Sequence, residues 1–361
     1  MTDALVIDGT QGEGSGQIVR TAATLAALTG KAVRVIDIRA KRRDSGLAIP
    51  HLVAVRALSA LCGGALNGDR LGSAQLEFAP AGPPRPGTYS FDVGQACEGG
   101  SADAATLVLQ AVMLPLALAD GLSRVTVRGV THMASGPPYD YFSDVYLPML
   151  VRLGIRARPA LMAFGWPPAG RGEITVDIDG LGAPGSRSLG TVRLTKPGPL
   201  RHVFGRAVTA SLPAHIPKRM ADRARHLLKD LDPDARITAQ RVRAASPGAG
   251  IFLTASYDHA RCGFSAIGAR GTPSEEVAAK AVDALIAHHD SGAVLDPHLA
   301  DQILLPLALA GAPSEFTTSR ITDDLLTNAW VIKRFGLAWI DIEAYPKGFA
   351  RVGVTPTENS G

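Results

Sequence analysis

The run Gly9-Thr10-Gln11-Gly12-Glu13-Gly14-Ser15-Gly16-Gln17 follows a strand-like stretch at 4–8 and precedes a helix. A glycine-dense turn before a helix leaves backbone N–H groups to meet an anion, and Glu13 within it can hold a divalent cation that bridges phosphate oxygens. Four cations, Arg39, Lys41, Arg42 and Arg43, fall together just after a second strand-like stretch, where a loop can present them to a polyanion. These residues suit phosphate chemistry or phosphate binding. Other chemistries lack their residues. The glycine run lacks the Gly-Lys-Ser/Thr ending of a P-loop and the spacing of a dinucleotide fingerprint. None of the nine histidines stands in a His-Glu-x-x-His pattern, and no Gly-x-Ser-x-Gly elbow marks an acyl-transfer serine.

A duplication places further polar residues opposite one another. Leu-Pro-Leu-Ala-Leu-Ala occurs at 114–119 and again at 305–310, and aligning the copies pairs Gln110 with Asp301, Thr131 with Thr322 and His132 with Asp323. A helix, a strand and a Thr-bearing loop thus recur together, and the two loops are expected to face a shared site. Pro115 and Pro306 fall at matching places, where each removes a backbone donor and is expected to kink its helix.

The elements that must position these groups alternate. A strand at 4–8, a helix at 18–28 ended by Gly30, a strand at 33–38, a helix at 51–61 ended by Gly63-Gly64, and two hairpin-like strands around 75–78 and 89–93 are expected. Most of that order returns between 102 and 178, and a third, shorter copy begins near His298. The intervening segment, 190–285, is richer in Arg and Lys and reads as an inserted α/β domain, so the main domain comprises 1–189 and 286–361. Thr272-Pro273-Ser274-Glu275 reads as a capping box opening a helix at 273–288. The fold class is mixed α/β.

Composition is consistent with this. A chain of 361 residues, 46% hydrophobic, with 39 glycines and 25 prolines spread among apolar segments, builds two or three domain-sized pieces from short elements and tight turns. Its net charge of +4 fits many unrelated enzymes. Cys62, Cys97 and Cys262 are too few and scattered for a disulfide framework or a Cys-x-x-Cys metal site. The N-terminus has neither a cationic start nor a cleavable apolar segment, and no stretch is long enough to span a bilayer, so a cytoplasmic protein without membrane attachment is expected.

Five ordered strings together resemble the RNA 3′-terminal phosphate cyclase family: the run from Ile7 through the glycine loop to Arg20, Thr106-Leu107-Val108-Leu109-Gln110, Pro137-Pro138 with Asp140, His298-Leu299-Ala300-Asp301-Gln302, and Leu325-Leu326-Thr327-Asn328. Leu212-Pro213-Ala214-His215-Ile216 extends the resemblance into the insert. It implies three βαβαββ units, as in enolpyruvate transferase-like folds, plus a small inserted α/β domain. It also implies a reaction in which ATP adenylylates a histidine, AMP passes to an RNA 3′-phosphate, and the neighbouring 2′-hydroxyl displaces AMP to leave a 2′,3′-cyclic phosphate. By motif match, Glu13 resembles the family's metal-contacting carboxylate, for Mg or Mn. Gln110, Pro138, His298, Leu299, Ala300, Asp301 and Gln302 correspond to ATP-contacting positions. Arg20, Arg39 and Arg43 lie where the family presents cations to the RNA end.

One departure stands at the centre of that match. The family's nucleophilic histidine sits immediately before Leu-Leu-Thr-Asn, and here Asp324, preceded by Asp323, takes its place. A carboxylate can attack phosphorus, but its mixed anhydride is more labile than a phosphoramidate. Either Asp324, or a histidine brought from elsewhere such as His132 or His298, then accepts AMP. Ser45, Ala48, Pro50 and Asp103 also depart from the family's pattern. Two alternatives follow: a relative that binds RNA or nucleotide without catalysis, and a small-molecule transferase acting on an anionic metabolite.

Overall fold

The computed structural model describes residues 4–96, 104–182 and 189–357; Cys97 and Asp103 lie outside them, as does all but Thr357 of the polar stretch 357–361 that is expected to fray, and Thr357 is hydrogen-bonded to Gly336 and Leu337. The first unit runs β1 (Leu5–Asp8), α1 (Gln17–Thr29), β2 (Val33–Ile36), α2 (Ile49–Cys62), β3 (Ala65–Asn67) and β4 (Leu76–Ala79). The second runs β5 (Thr88–Asp92), α3 (Ala105–Ala117), β6 (Leu122–Gly129), a helix in three pieces, β7 (Arg156–Ala163) and β8 (Gly172–Asp179). The three pieces are α4 (Tyr139–Tyr141), a π turn (Phe142–Tyr146) and α5 (Leu147–Arg152).

After β9 (Arg193–Leu194) come β10 (Leu200–Ala210), α6 (His215–Leu228), β11 (Arg236–Val242), β12 (Gly248–Tyr257), β13 (Arg261–Ile267) and α7 (Ser274–Ser291). The chain then continues through α8 (Pro297–Gln302), α9 (Leu304–Ala308), β14 (Ser314–Thr318), α10 (Asp323–Phe335), β15 (Ala338–Ala344) and β16 (Ala350–Pro356).

Sheet topology makes the repeat explicit. The orders β1-β2-β4-β3, β5-β6-β8-β7 and β9-β14-β16-β15 are the same pattern three times. In each, the first strand is parallel to the second, and the later pairs are antiparallel. The third unit is therefore complete rather than shortened. Its first strand, β9, pairs with β14 through Arg193 and Leu194, so the insert interrupts the third unit between its first strand and its first helix. We propose that the inserted domain spans 200–291 rather than 190–285, because β10 to β13 form their own sheet and α7 packs on it.

Other expectations shift for local reasons. The strands at 76–79 and 88–92 are not a hairpin: β4 pairs with β2 and β3, while β5 opens the second sheet beside β6. Strand β2 stops at Ile36 because Asp37 (φ 50°) and Arg39 (φ 52°) take left-handed backbone conformations. No capping box forms at α7. Its N-cap is Pro273, with no side-chain cap hydrogen bond, and the Glu275 carboxylate is instead held bidentately by Arg219 of α6 at 2.7 and 2.8 Å.

The duplicated helices sit at the heart of the core. Every residue of α3 is buried except Gln110, the pattern of a helix surrounded by protein on all sides. Pro115 leaves α3 continuous. The carbonyl of Ala111, which a non-proline residue at 115 would bond, accepts the Thr24 hydroxyl from α1 at 3.2 Å. In the second copy, Ile303 leaves the regular helix between α8 and α9, one residue past Gln302, whose carbonyl Pro306 cannot serve.

Asp296 joins the parts. Fully buried, it accepts from the Tyr141 hydroxyl of the second unit at 2.8 Å, from Gly263 N of the insert at 3.1 Å, and from His298 N and Leu299 N of α8, each at 3.0 Å. Replacing it with alanine orphans four donors, three of them in buried bonds. We expect Asp296→Ala to lose about 3–5 kcal/mol of stability in equilibrium urea unfolding, with Asp296→Asn losing less because its amide oxygen can keep some of those donors. A loss within about 0.5 kcal/mol of zero would mean that this junction carries no weight.

Candidate functional site

Asp8, closing β1, starts the glycine loop. Its carboxylate accepts from Thr10 N and Thr10 Oγ1, both at 2.8 Å, and those bonds hold it below the ordinary carboxylate range. The loop then passes over α10. Ser15 Oγ donates to Asp324 Oδ1 at 3.0 Å while accepting from Gln17 N at 3.3 Å. Gly16 cannot be another residue, since a Cβ there would lie 1.7 Å from His51 Nε2.

The basic loop folds back onto this turn. Arg42 pairs with Glu13 at 2.7 Å and Lys41 Nζ reaches Gly12 O at 3.2 Å. Arg39 Nη1 donates to Gly46 O at 3.2 Å, and Arg43 is exposed. The four cations are thus not presented together: two of them pin the glycine loop. Glu13 is exposed, and Arg42 occupies its carboxylate.

Below the loop, α1, α3, α8 and α10 converge. Asn328 of α10 accepts from Thr21 Oγ1 at 2.6 Å and from Gln17 Nε2 at 3.2 Å, and donates to Asp301 O at 2.9 Å. Gln17, Arg20, Thr21, Gln110, Asp301, Gln302, Tyr146 and Asn328 line one small cavity of about 50 Å³. Gln110 Nε2 and Gln302 Oε1 are buried without hydrogen-bond partners. Such groups cost free energy unless something fills the space beside them. The cavity has room for a few waters or the edge of a ligand, so a nucleotide would have to extend beyond it. A larger hollow of about 590 Å³ lies on the other side of the π turn, between Val145, Arg152, His259 and Arg261, and contains none of the expected ATP-contacting residues.

The duplicated pair Gln110 and Asp301 therefore meets, together with Gln302 and Arg20. Glu13 lies outside this cavity's lining. Pro138 is buried at the N-cap of α4, and His298 is exposed at the start of α8, its ring edge-on to Tyr141 at 6.4 Å. Leu299 and Ala300 are core residues whose amides are taken by Asp296, so their part is to place Asp301.

The two Thr-bearing loops do not face a shared site. Thr322 caps α10 through Leu325 N at 3.0 Å, whereas Thr131 bonds Gly165 N at 2.9 Å. His132 is fully buried among Phe164, Trp166 and Phe252, with Nε2 2.8 Å from Asp140, which pairs with Arg206 of the insert at 2.6 Å. That burial removes it as an AMP acceptor.

Sequence reading passed over Ser15 as a partner of Asp324, and His51. Arg20 can only donate, so His51 Nδ1, 2.9 Å from Arg20 Nη1, accepts, and Nε2 carries the ring proton. Burial, with Arg20 and Arg39 nearby, holds this imidazole well below its ordinary value and keeps it neutral. The polar stripe at Gln17, Arg20, Thr21 and Thr24, spaced for one helix face, was the signal available in the sequence.

Asp301 moves the other way. Burial chiefly, then the negative Asp324 and Asp296, push its carboxyl well above the ordinary range, against the pull of Arg20 and of the Thr322 hydroxyl. A raised folded value stabilises the fold most below the unfolded value of about 3.9, and that contribution is lost as pH rises through the folded value. We expect the wild type to lose stability relative to Asp301→Asn in urea titrations as pH rises above the unfolded value of about 3.9. A difference independent of pH would show that Asp301 titrates normally.

Comparison with known proteins gives the chain its family. A model of the RNA 3′-terminal phosphate cyclase family matches residues 11–342. The RNA 3′-terminal phosphate cyclase of Methylococcus capsulatus is 54% identical over 338 residues, covering 94% of this chain and 92% of that one. Those of Trichormus variabilis (48% over 336 residues; 93% and 95% covered) and Salmonella enteritidis (37% over 353 residues; 97% and 98% covered) are also similar. With its family model matched almost end to end and these relatives covered nearly whole, the chain belongs to the RNA 3′-terminal phosphate cyclase family.

Proposed function

We propose that the protein converts an RNA 3′-phosphate to a 2′,3′-cyclic phosphate at the expense of ATP, in the reducing cytoplasm. The observation that carries this reading is the convergence of Gln110, Asp301 and Gln302, from the duplicated helices, on the lining of one cavity, with an amide atom of each glutamine buried and unpartnered. Pro138 and His298 would flank the adenosine, and Asp324, beside the glycine loop, stands where AMP is taken up. Arg20, Arg39 and Arg43 would meet the RNA phosphates; Arg39 and Arg20 are held by other bonds now, and Arg43 is exposed. Adenylyl transfer needs positioning and charge neutralisation more than covalent assistance, which suits a site of fixed amides and guanidinium groups.

No group of three or more His, Cys, Asp or Glu that could hold a metal occurs among the described residues. Glu13 supplies one hard oxygen donor and would have to release Arg42 to use it. This donor set fits Mg or Mn only as an ion brought with phosphate oxygens, the way such ions are held by one or two carboxylates and a substrate. Bound there, the ion would supply neutralisation of phosphate charge.

Incubation of the protein with ATP, magnesium or manganese and a 3′-phosphorylated oligoribonucleotide should give ends resistant to phosphatase. Unchanged 3′-phosphate ends, with retained RNA or nucleotide binding, would favour a family member that binds without catalysis. We expect Gln110→Ala to raise KM for ATP by about 3- to 10-fold, the loss of one neutral hydrogen bond, without lowering the melting temperature. An unchanged KM would remove Gln110 from the nucleotide site.

A further inference from the structure

The histidine-for-Asp324 exchange leaves open which atom takes AMP, and the structure offers one that neither the family pattern nor the sequence reading assigned. Asp324 is not alone. Its Oδ1 accepts a hydrogen bond from Ser15 Oγ at 3.0 Å, across 309 residues of sequence. Ser15 sits in the glycine loop at the start of α1, is only half-buried, and its oxygen accepts from Gln17 N, which orients the hydroxyl toward α10. A hydroxyl hydrogen-bonded to a carboxylate is the arrangement of a nucleophile beside its base. Asp324 attacking by itself would form an easily hydrolysed mixed anhydride. His132 is sealed in the core.

Resting on the cyclase reading above, we propose that Ser15 is the residue adenylylated and that Asp324 is its general base. The Ser15 Oγ–Pα bond forms as the bond from Pα to the β-phosphate oxygen breaks. Pyrophosphate leaves, and the hydroxyl proton moves to Asp324 Oδ1. An oxygen of the RNA 3′-phosphate then attacks Pα, the Pα–Oγ bond breaks, and Ser15 takes its proton back from Asp324. The RNA 2′-hydroxyl oxygen closes on the 3′-phosphorus as the bond from that phosphorus to the AMP oxygen breaks; AMP leaves, and the hydroxyl proton passes to solvent. A serine phosphodiester is less activated than a phosphoramidate, so the adenylylated protein accumulates and RNA discharges it slowly.

Chemical stability of the bond identifies its residue. The full-length protein is incubated with magnesium chloride and ATP labelled at the α-phosphate, without RNA, and the label is challenged with acid and with neutral hydroxylamine. A serine ester survives both, an aspartyl anhydride yields to hydroxylamine, and a histidine phosphoramidate yields to acid. We expect label that survives both treatments, maps to the Ser15 peptide, and falls about 100-fold or more in Ser15→Ala and in Asp324→Asn, the scale of losing a nucleophile or its base. Melting temperatures check that both variants fold.

Label on Asp324 or on a histidine, or undiminished label in Ser15→Ala, overturns the proposal. If Ser15 is only a tie between the loop and α10, Ser15→Ala lowers the melting temperature and the label stays on its other residue. RNA cyclised without any protein-bound label also overturns it while leaving the cyclase reading intact. A protein that neither carries label nor cyclises RNA overturns both.

Discussion

The structure turns on a single carboxylate that has no water to solvate it. Asp296 gathers donors from the second unit, the insert and the third unit's first helix, and each bond it makes is one that its neighbours cannot replace. Buried acids are tolerated only when hydrogen-bonded, so the position of Asp296 obliges Tyr141, Gly263 and the start of α8 to arrive together. Because α8 is capped there, Asp301 and Gln302, a turn and more further on, are held where Gln110 of α3 meets them. The site is thus a by-product of how three separately folded pieces satisfy one charge.

The same economy shapes the chemistry. Asp301 is buried, and that burial pushes its carboxyl well above the ordinary range, while Asp324 accepts the Ser15 hydroxyl. The basic loop, read from sequence as a polyanion grip, spends Lys41 and Arg42 on holding the glycine turn. Holding that turn in place is its contribution in this structure.

Much of this was readable from residues. The duplicated Leu-Pro-Leu-Ala-Leu-Ala string located two helices that do meet, because a polar side chain in an otherwise apolar helix has few places to go. Glycine stops fixed the ends of α1 and α2 correctly. What escaped had no local signature. Strand β9 is two residues long, too short for an alternation to show, so the third unit looked truncated and the insert looked like a spacer between units. The capping box at 272–275 failed because a long-range ion pair with Arg219 claimed Glu275. The pairing of the loops bearing His132 and Asp323 failed because sequence equivalence says nothing of burial: Phe164 and Trp166 of the second unit and Phe252 of the insert enclose His132, whereas Asp323 is exposed.

The interruption of the third unit bears on biosynthesis. Strand β9 leaves the ribosome long before β14, its only partner in the sheet among the described strands, and an entire α/β domain must emerge between them. Closing so long a loop costs chain entropy that only the finished contacts return. The first two units and the insert can assemble as they appear, whereas the last sheet waits for the C-terminal strands. Since Asp301 and Asp324 both belong to that unit, the candidate site cannot assemble until α8 and α10 have been made.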